Sequence, residues 1–151
     1  MGRYNTIYAG PVSNPTPHAM EALASVALTP GTLVTYSKTT GFAPADDTTT
    51  GKTWIVQDNY LTGRGVDVAW AAGTRAIALD MVDDQLYNAR VATGNDLTQG
   101  DALTTGANAT LVKAGAGDKV VAVANEDYNN DTGEDQLVNV RVATGYLTAA
   151  A

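Results

Sequence analysis

Asp84-Gln85-Leu86-Tyr87-Asn88-Ala89-Arg90-Val91-Ala92-Thr93-Gly94 returns as Asp135-Gln136-Leu137-Val138-Asn139-Val140-Arg141-Val142-Ala143-Thr144-Gly145. Nine of the eleven positions are identical. The two that differ, Tyr87/Val138 and Ala89/Val140, keep an apolar or small residue. A repeat of this kind decides architecture, so it is sought before local structure. Alternation along the stretch puts Tyr87, Ala89 and Val91 on one face of a strand, and Val138, Val140 and Val142 on the same face of its copy. That all-apolar set is the expected core face. Leu86, Asn88 and Arg90 fall on the other, wetter face. Arg90 and Arg141 are expected at equivalent places, with similar effects on stability when replaced.

Weaker matches extend the pattern outward. Leu28-Thr29-Pro30-Gly31-Thr32-Leu33-Val34-Thr35 parallels Leu97-Thr98-Gln99-Gly100-Asp101-Ala102-Leu103-Thr104, and the stretch 51–60 parallels 117–128. The reading is two copies of one β unit, about 24–94 and 95–145, the first with an extra segment at about 61–83. Residues 1–23 form an extended N-terminal arm, and 24–151 a single β domain. Turn signals are dense: Thr29-Pro30-Gly31, Gly63-Arg64-Gly65, Ala71-Ala72-Gly73 and Gly115-Ala116-Gly117. Short strands between Gly-rich turns predict an all-β fold, a compact antiparallel β-barrel or sandwich built from two similar units. Strands are expected at Thr32–Tyr36, Thr53–Gln57, Val66–Trp70, Arg75–Val82 and Val120–Ala124. Trp54 is the expected core anchor. The Ala-rich stretch from His18 allows at most a short helix before extended chain at 24–28.

Composition narrows the function. The 151 residues carry 16 acids against 9 bases, a net charge of −7. A nucleic-acid partner requires a basic surface to neutralise phosphates, so none is expected. No stretch approaches the roughly 18 apolar residues of a membrane span, and the start lacks an apolar signal segment. A soluble product is the expectation, with no membrane partner. There are no cysteines, which excludes disulfides, thiolate metal sites and thiol catalysis.

Catalytic groups are sparse. The only histidine is His18, in the arm, without a rigid element or an orienting partner in view. No phosphate-binding loop, serine elbow or zinc motif is present. The stretch Asp127-Tyr128-Asn129-Asn130-Asp131-Thr132-Gly133-Glu134-Asp135 offers oxygens at alternating positions, with Asp127, Asn129, Asp131 and Asp135 as the candidate calcium ligands. A standard calcium loop places glycine sixth and a bidentate glutamate twelfth. Here those positions hold Thr132 and Val138. A solvated acidic hairpin loop is the competing reading, and no cofactor or metal is assigned. The arm carries Arg3, Tyr4, Ile7, Tyr8 and Val12, which are sticky side chains for a terminal segment. Either it is a disordered end, or it orders on a partner surface.

Three stretches carry a resemblance: Leu97–Leu103, Ala116–Ala124 and Leu137–Ala143. Their Gly-Asp-x-Leu turns and Ala/Val strands resemble tailed-bacteriophage capsid decoration (cement) proteins. The resemblance implies a non-catalytic virion protein on the outer capsid surface, made in the host cytoplasm. It implies the major capsid protein as partner, dimers or trimers of the chain itself, and no cofactor. The alternatives are another virion component, such as a head-fibre base or a tail-associated β module, or a carbohydrate- or calcium-binding β module.

Overall fold

The computed structural model describes residue 7 and residues 16–146. The chain is nearly all β. The first five strands are β1 (Ala19–Leu23), β2 (Leu33–Ser37), β3 (Gly41–Pro44), β4 (Trp54–Val56) and β5 (Arg75–Asp80). They form one sheet in the order β1-β5-β4-β2-β3. A parallel bridge between Ala24 and Phe42 brings the two ends of this sheet together. The remaining strands are β6 (Leu86–Val91), β7 (Asp96–Leu97), β8 (Ala102–Thr105), β9 (Leu111–Lys113), β10 (Lys119–Ala124), β11 (Tyr128–Asn129) and β12 (Gln136–Tyr146). Five of these close into a barrel, β10-β12-β6-β9-β8, with β6 and β9 parallel at Val91–Leu111. The strands β7 and β11 form a separate two-stranded ribbon.

The two units share one topology. Started at β6, the barrel runs β6-β12-β10-β8-β9, the order β1-β5-β4-β2-β3 of the first sheet. In each unit the first and third strands meet in parallel. The equivalent pairs are therefore β1/β6, β2/β8, β3/β9, β4/β10 and β5/β12. The weaker matches at 28–35 and 51–60 fall on these equivalences. The eleven-residue match does not. Its copies contain β6 and β12, the first and last strands of one barrel, which pair with each other antiparallel. The two equivalent sets of strands thus span 19–80 and 86–146, where the sequence reading drew 24–94 and 95–145. Strand β1 also falls within the stretch read as arm or short helix. Its Ala22, and Ala24 just beyond its end, are buried against the sheet, and sheet pairing outweighs the helix propensity of alanine.

The apolar runs are explained by a two-sided sheet. Along β2, Leu33 joins the core shared with the barrel, while the next residue, Val34, joins the core of the first unit. Along β4, Ile55 and Val56 divide in the same way. Successive side chains of a strand point to opposite faces, so a sheet covered on both sides reads as a continuous apolar run. The expected core face of the repeat holds: Tyr87, Ala89, Val91, Val138, Val140 and Val142 are all buried in the shared core.

Trp54, the expected core anchor, sits at the margin of the core. Trp54 is half-buried, edge-on to Tyr36 at 6.2 Å, with Lys52 Nζ 5.3 Å above its ring. Trp70 is the buried one, and its indole N–H donates to the Gln57 carbonyl at 2.7 Å. The expected strand Val66–Trp70 is a series of exposed turns that ends in an isolated Leu28–Trp70 bridge. Alternation there reflects a surface loop with one anchor.

Candidate functional site: partner-binding surfaces

The sequence-predicted partner residues Arg3, Tyr4, Tyr8 and Val12 lie outside the described residues. Ile7 is fully exposed. His18 is exposed, and its carbonyl accepts from the Asp80 amide at 2.8 Å, which ties the end of the arm to β5.

The acidic stretch 127–135 is folded as a structural loop. Asp127 accepts from the Gln99 amide at 2.7 Å. Asn130 is fully buried, and its amide group donates to the carbonyls of Val91 (3.0 Å) and Glu134 (2.9 Å). Its side-chain oxygen accepts from the Thr132 hydroxyl at 2.7 Å. Asn129 is exposed in β11, and Asp131 is exposed in the turn. Asp135 lies 3.5 Å from the Arg90 guanidinium. The four candidate ligands therefore point to different tasks. Among the described residues no three His, Cys, Asp or Glu side chains gather as metal ligands do.

Arg90 is the residue the sequence placed least well. Expected on a wet face, it is buried, with 7 % exposure. The Pro30–Gly31 turn and the 57–74 loop cover it. Its Nε donates to the Pro30 carbonyl at 2.8 Å, and one terminal nitrogen donates to the Val66 carbonyl at 2.9 Å and the Asp67 carboxylate at 3.0 Å. Gly31 sits against it in the left-handed conformation, φ +86°. A Cβ there would meet Leu137 and the Arg90 stem, so only glycine fits this close approach. Arg141, its sequence counterpart, is half-exposed and holds only Asp84, at 2.9 Å.

A cleft of about 520 Å³ runs between the two units. Its floor is Met81, Val121 and Val142, and its rim carries Lys52, Asp80 and Lys119. Lys52 pairs with Asp80 at 2.6 Å. Lys119 donates to the carbonyls of Thr50 and Gly51, both at 2.8 Å. Of these rim contacts, Lys52–Asp80 lies within the first unit, and the Lys119 bonds to Thr50 and Gly51 join the second unit to the first. Two carboxyl groups elsewhere are held below the ordinary aspartate range. Asp101 accepts from Lys113 and from the Thr98 amide, and Asp46 accepts from the hydroxyl and amide of Thr48. The Thr98 and Thr48 contacts build turns, and the Lys113 contact ties β9 to the turn before β8.

The 57–74 loop presents the main exposed apolar group outside the strands: Tyr60, Leu61, Val66 and Val68. It joins β4 to β5, where the second unit has only the connection through β11. Reading 66–70 as a strand hid this surface. The signal available in the sequence was the extra length of the first unit.

No protein-family model matches the chain, and no curated protein matches it. Among solved structures, the chain is similar to the head fibre gp8.5 N base of bacteriophage phi29. The two share 22% sequence identity, with a TM-score of 0.52 over 85% of this chain and 95% of that one. At this identity the likeness is one of fold.

Proposed function

We propose that this chain is a non-catalytic structural protein of a phage virion, and that it serves as the base of a fibre on the head. The observation that carries this reading is the extent of the fold likeness: it takes in nearly the whole of the phi29 head-fibre base and most of this chain. The capsid-decoration resemblance leads to the same setting. Both roles require a stable β scaffold that grips a shell. The fibre-base reading is preferred because a whole fold matches, whereas the decoration resemblance rests on short Gly-Asp turns and Ala/Val strands.

The chemistry is compatible with binding alone. The ion pairs Lys52–Asp80, Lys113–Asp101 and Arg90–Asp135 each join segments distant in the sequence. In this reading the major capsid protein is the partner. The arm, with Arg3, Tyr4, Ile7, Tyr8 and Val12, is the gripping segment. A β-strand added to a shell edge is one mode it would use. The chain's place would be the outer surface of the head.

The test is sedimentation of the purified protein with heads that lack it. The expected result is saturable co-sedimentation, weakened when residues 1–15 are deleted while the melting temperature is kept. Protein that stays in the supernatant at every head concentration would overturn the reading. Unchanged affinity after the deletion would remove the arm from it.

A further inference from the structure

The repeated stretch is self-complementary. Strands β6 and β12 pair in a register where Asn88 faces Asn139, its own counterpart. Every other pair is then mirrored about that point. Leu86 faces Arg141, and Arg90 faces Leu137. Asp84 bonds Arg141, and Asp135 lies against Arg90. The Asn139 amide donates to the Asn88 side-chain oxygen at 3.1 Å, at the centre of this local two-fold. The motif Asp-Gln-Leu-x-Asn-x-Arg is therefore a strand that recognises a second strand of the same sequence. Each leucine faces the arginine of the other strand, and each aspartate meets that arginine. This accounts for the near-identity of the two copies, which lie on strands that are not equivalent in the duplicated fold.

We propose that a second copy of this chain can dock through this element to form a dimer, β6 and β12 parting from each other and each pairing with its own counterpart in the other molecule. Strand exchange normally leaves each strand only its one native partner type. Here three pairings satisfy the same rule. A β6–β6′ pair would set Tyr87 against Ala89′, large against small, and Asp84 against Arg90′. A β12–β12′ pair would set Val138 against Val140′, and Asp135 against Arg141′. In each case the Asn pair stays at the centre and the core face stays apolar.

Two features hold the single chain closed. The connection from β11 to β12 is short, so β12 is presented to β6 at an effective concentration that a free strand reaches only at about millimolar levels. Its anchor is Asn130, bonded to Val91 at the end of β6. Gly133, with φ +86°, donates to the Thr93 hydroxyl at 3.1 Å beside it. Exchange sacrifices these loop contacts and retains the strand contacts, so it should grow with protein concentration during refolding.

The experiment uses the 151-residue chain, which has no cysteine. Asn88→Cys and Asn139→Cys are made singly, and each is refolded alone from urea, concentrated, with a thiol oxidant. Facing Cα atoms on antiparallel strands are about 4.5–5.5 Å apart, within disulfide reach. An ordinary exchange sets each introduced thiol opposite an asparagine of the other molecule and cannot link either variant to itself. The expected result is covalent dimer from both single variants, above the level from Asp47→Cys, an exposed control. The dimer should increase with concentration. A double variant, Asn88→Cys with Asn139→Cys, refolded dilute, should close its own disulfide. Wild type refolded at high concentration should show twice the chain mass by light scattering. Dimer no greater than the control, or wild type that stays monomeric throughout, would overturn the proposal. So would cross-linking found only in a mixture of the two single variants, which would indicate exchange without self-complementarity. None of these outcomes depends on the fibre-base reading.

Discussion

Replacing Arg90 with alanine should be one of the most damaging single changes in the chain, and replacing Arg141 one of the milder ones. The Arg90 guanidinium donates to two carbonyls and one carboxylate and lies near a second carboxylate. Truncation leaves the Pro30 carbonyl inside the protein without its donor and opens a void under Gly31. Hydrogen bonds to charged groups contribute about 1.5–3 kcal/mol each, and breaking a buried charged network costs about 3–5 kcal/mol. The exposure of Asp67 and Asp135 screens their share, so the two carbonyls set the estimate. Arg90→Ala is therefore expected to lose about 3–4 kcal/mol. Arg141 is half-exposed and its partner Asp84 is mostly solvated. A surface pair of that kind is worth about 0.2–1 kcal/mol. Urea unfolding followed by tryptophan fluorescence measures both. For a chain of this size the Arg90 loss corresponds to a fall of roughly 6–16 °C in Tm. Arg90→Lys should recover little, because one ammonium cannot reproduce the planar fork. Equal losses for Arg90→Ala and Arg141→Ala would refute the assigned environments.

Four further substitutions test local geometry. Gly41→Ala should destabilise by about 2–4 kcal/mol in urea unfolding, since φ is +76° and a Cβ would run into the Leu23 backbone where β1 meets β3. Gly63→Ala, also at positive φ but in open space, should lose only about 1 kcal/mol. Asn130→Ala should lose about 2–3 kcal/mol and raise amide exchange across 130–135, because the carbonyls of Val91 and Glu134 lose their shared donor. Asp101 has a folded-state pKa below its unfolded one, so its contribution is present above the ordinary aspartate value of about 3.9 and is lost as pH falls through the lower folded value. Asp101→Asn should therefore be less stable than wild type at neutral pH, and the two urea midpoints should converge in strong acid.

Much of the fold was readable from alternation and turns. The core face of β6 and β12, the strands near 33, 54 and 120, and the all-β class all follow from small β-branched residues between glycines. The unit boundaries were not readable, because the strongest repeat encodes pairing within one barrel, while the duplication itself survives in weak matches around Gly31/Gly100 and Gly51/Gly117. Arg90 was misplaced because period two tells which face a residue occupies, and says nothing of a loop folded over that face. Trp54 was placed too deep for a related reason. Apolar neighbours in sequence made Trp54 look central, whereas the hydrogen bond to Gln57 that buries Trp70 is a tertiary contact. The acidic loop 127–135 showed its oxygens in the sequence, but its organiser, the buried Asn130, is identified only by the carbonyls it reaches.

The most direct test of the fibre-base account is electron cryomicroscopy of the particles that carry this protein. The account predicts density fitting the duplicated five-strand fold at the foot of discrete projections on the head, lost together with those projections when the chain is deleted. A continuous coat of this fold over the shell would contradict the account in favour of capsid decoration, and its absence from the head would contradict both.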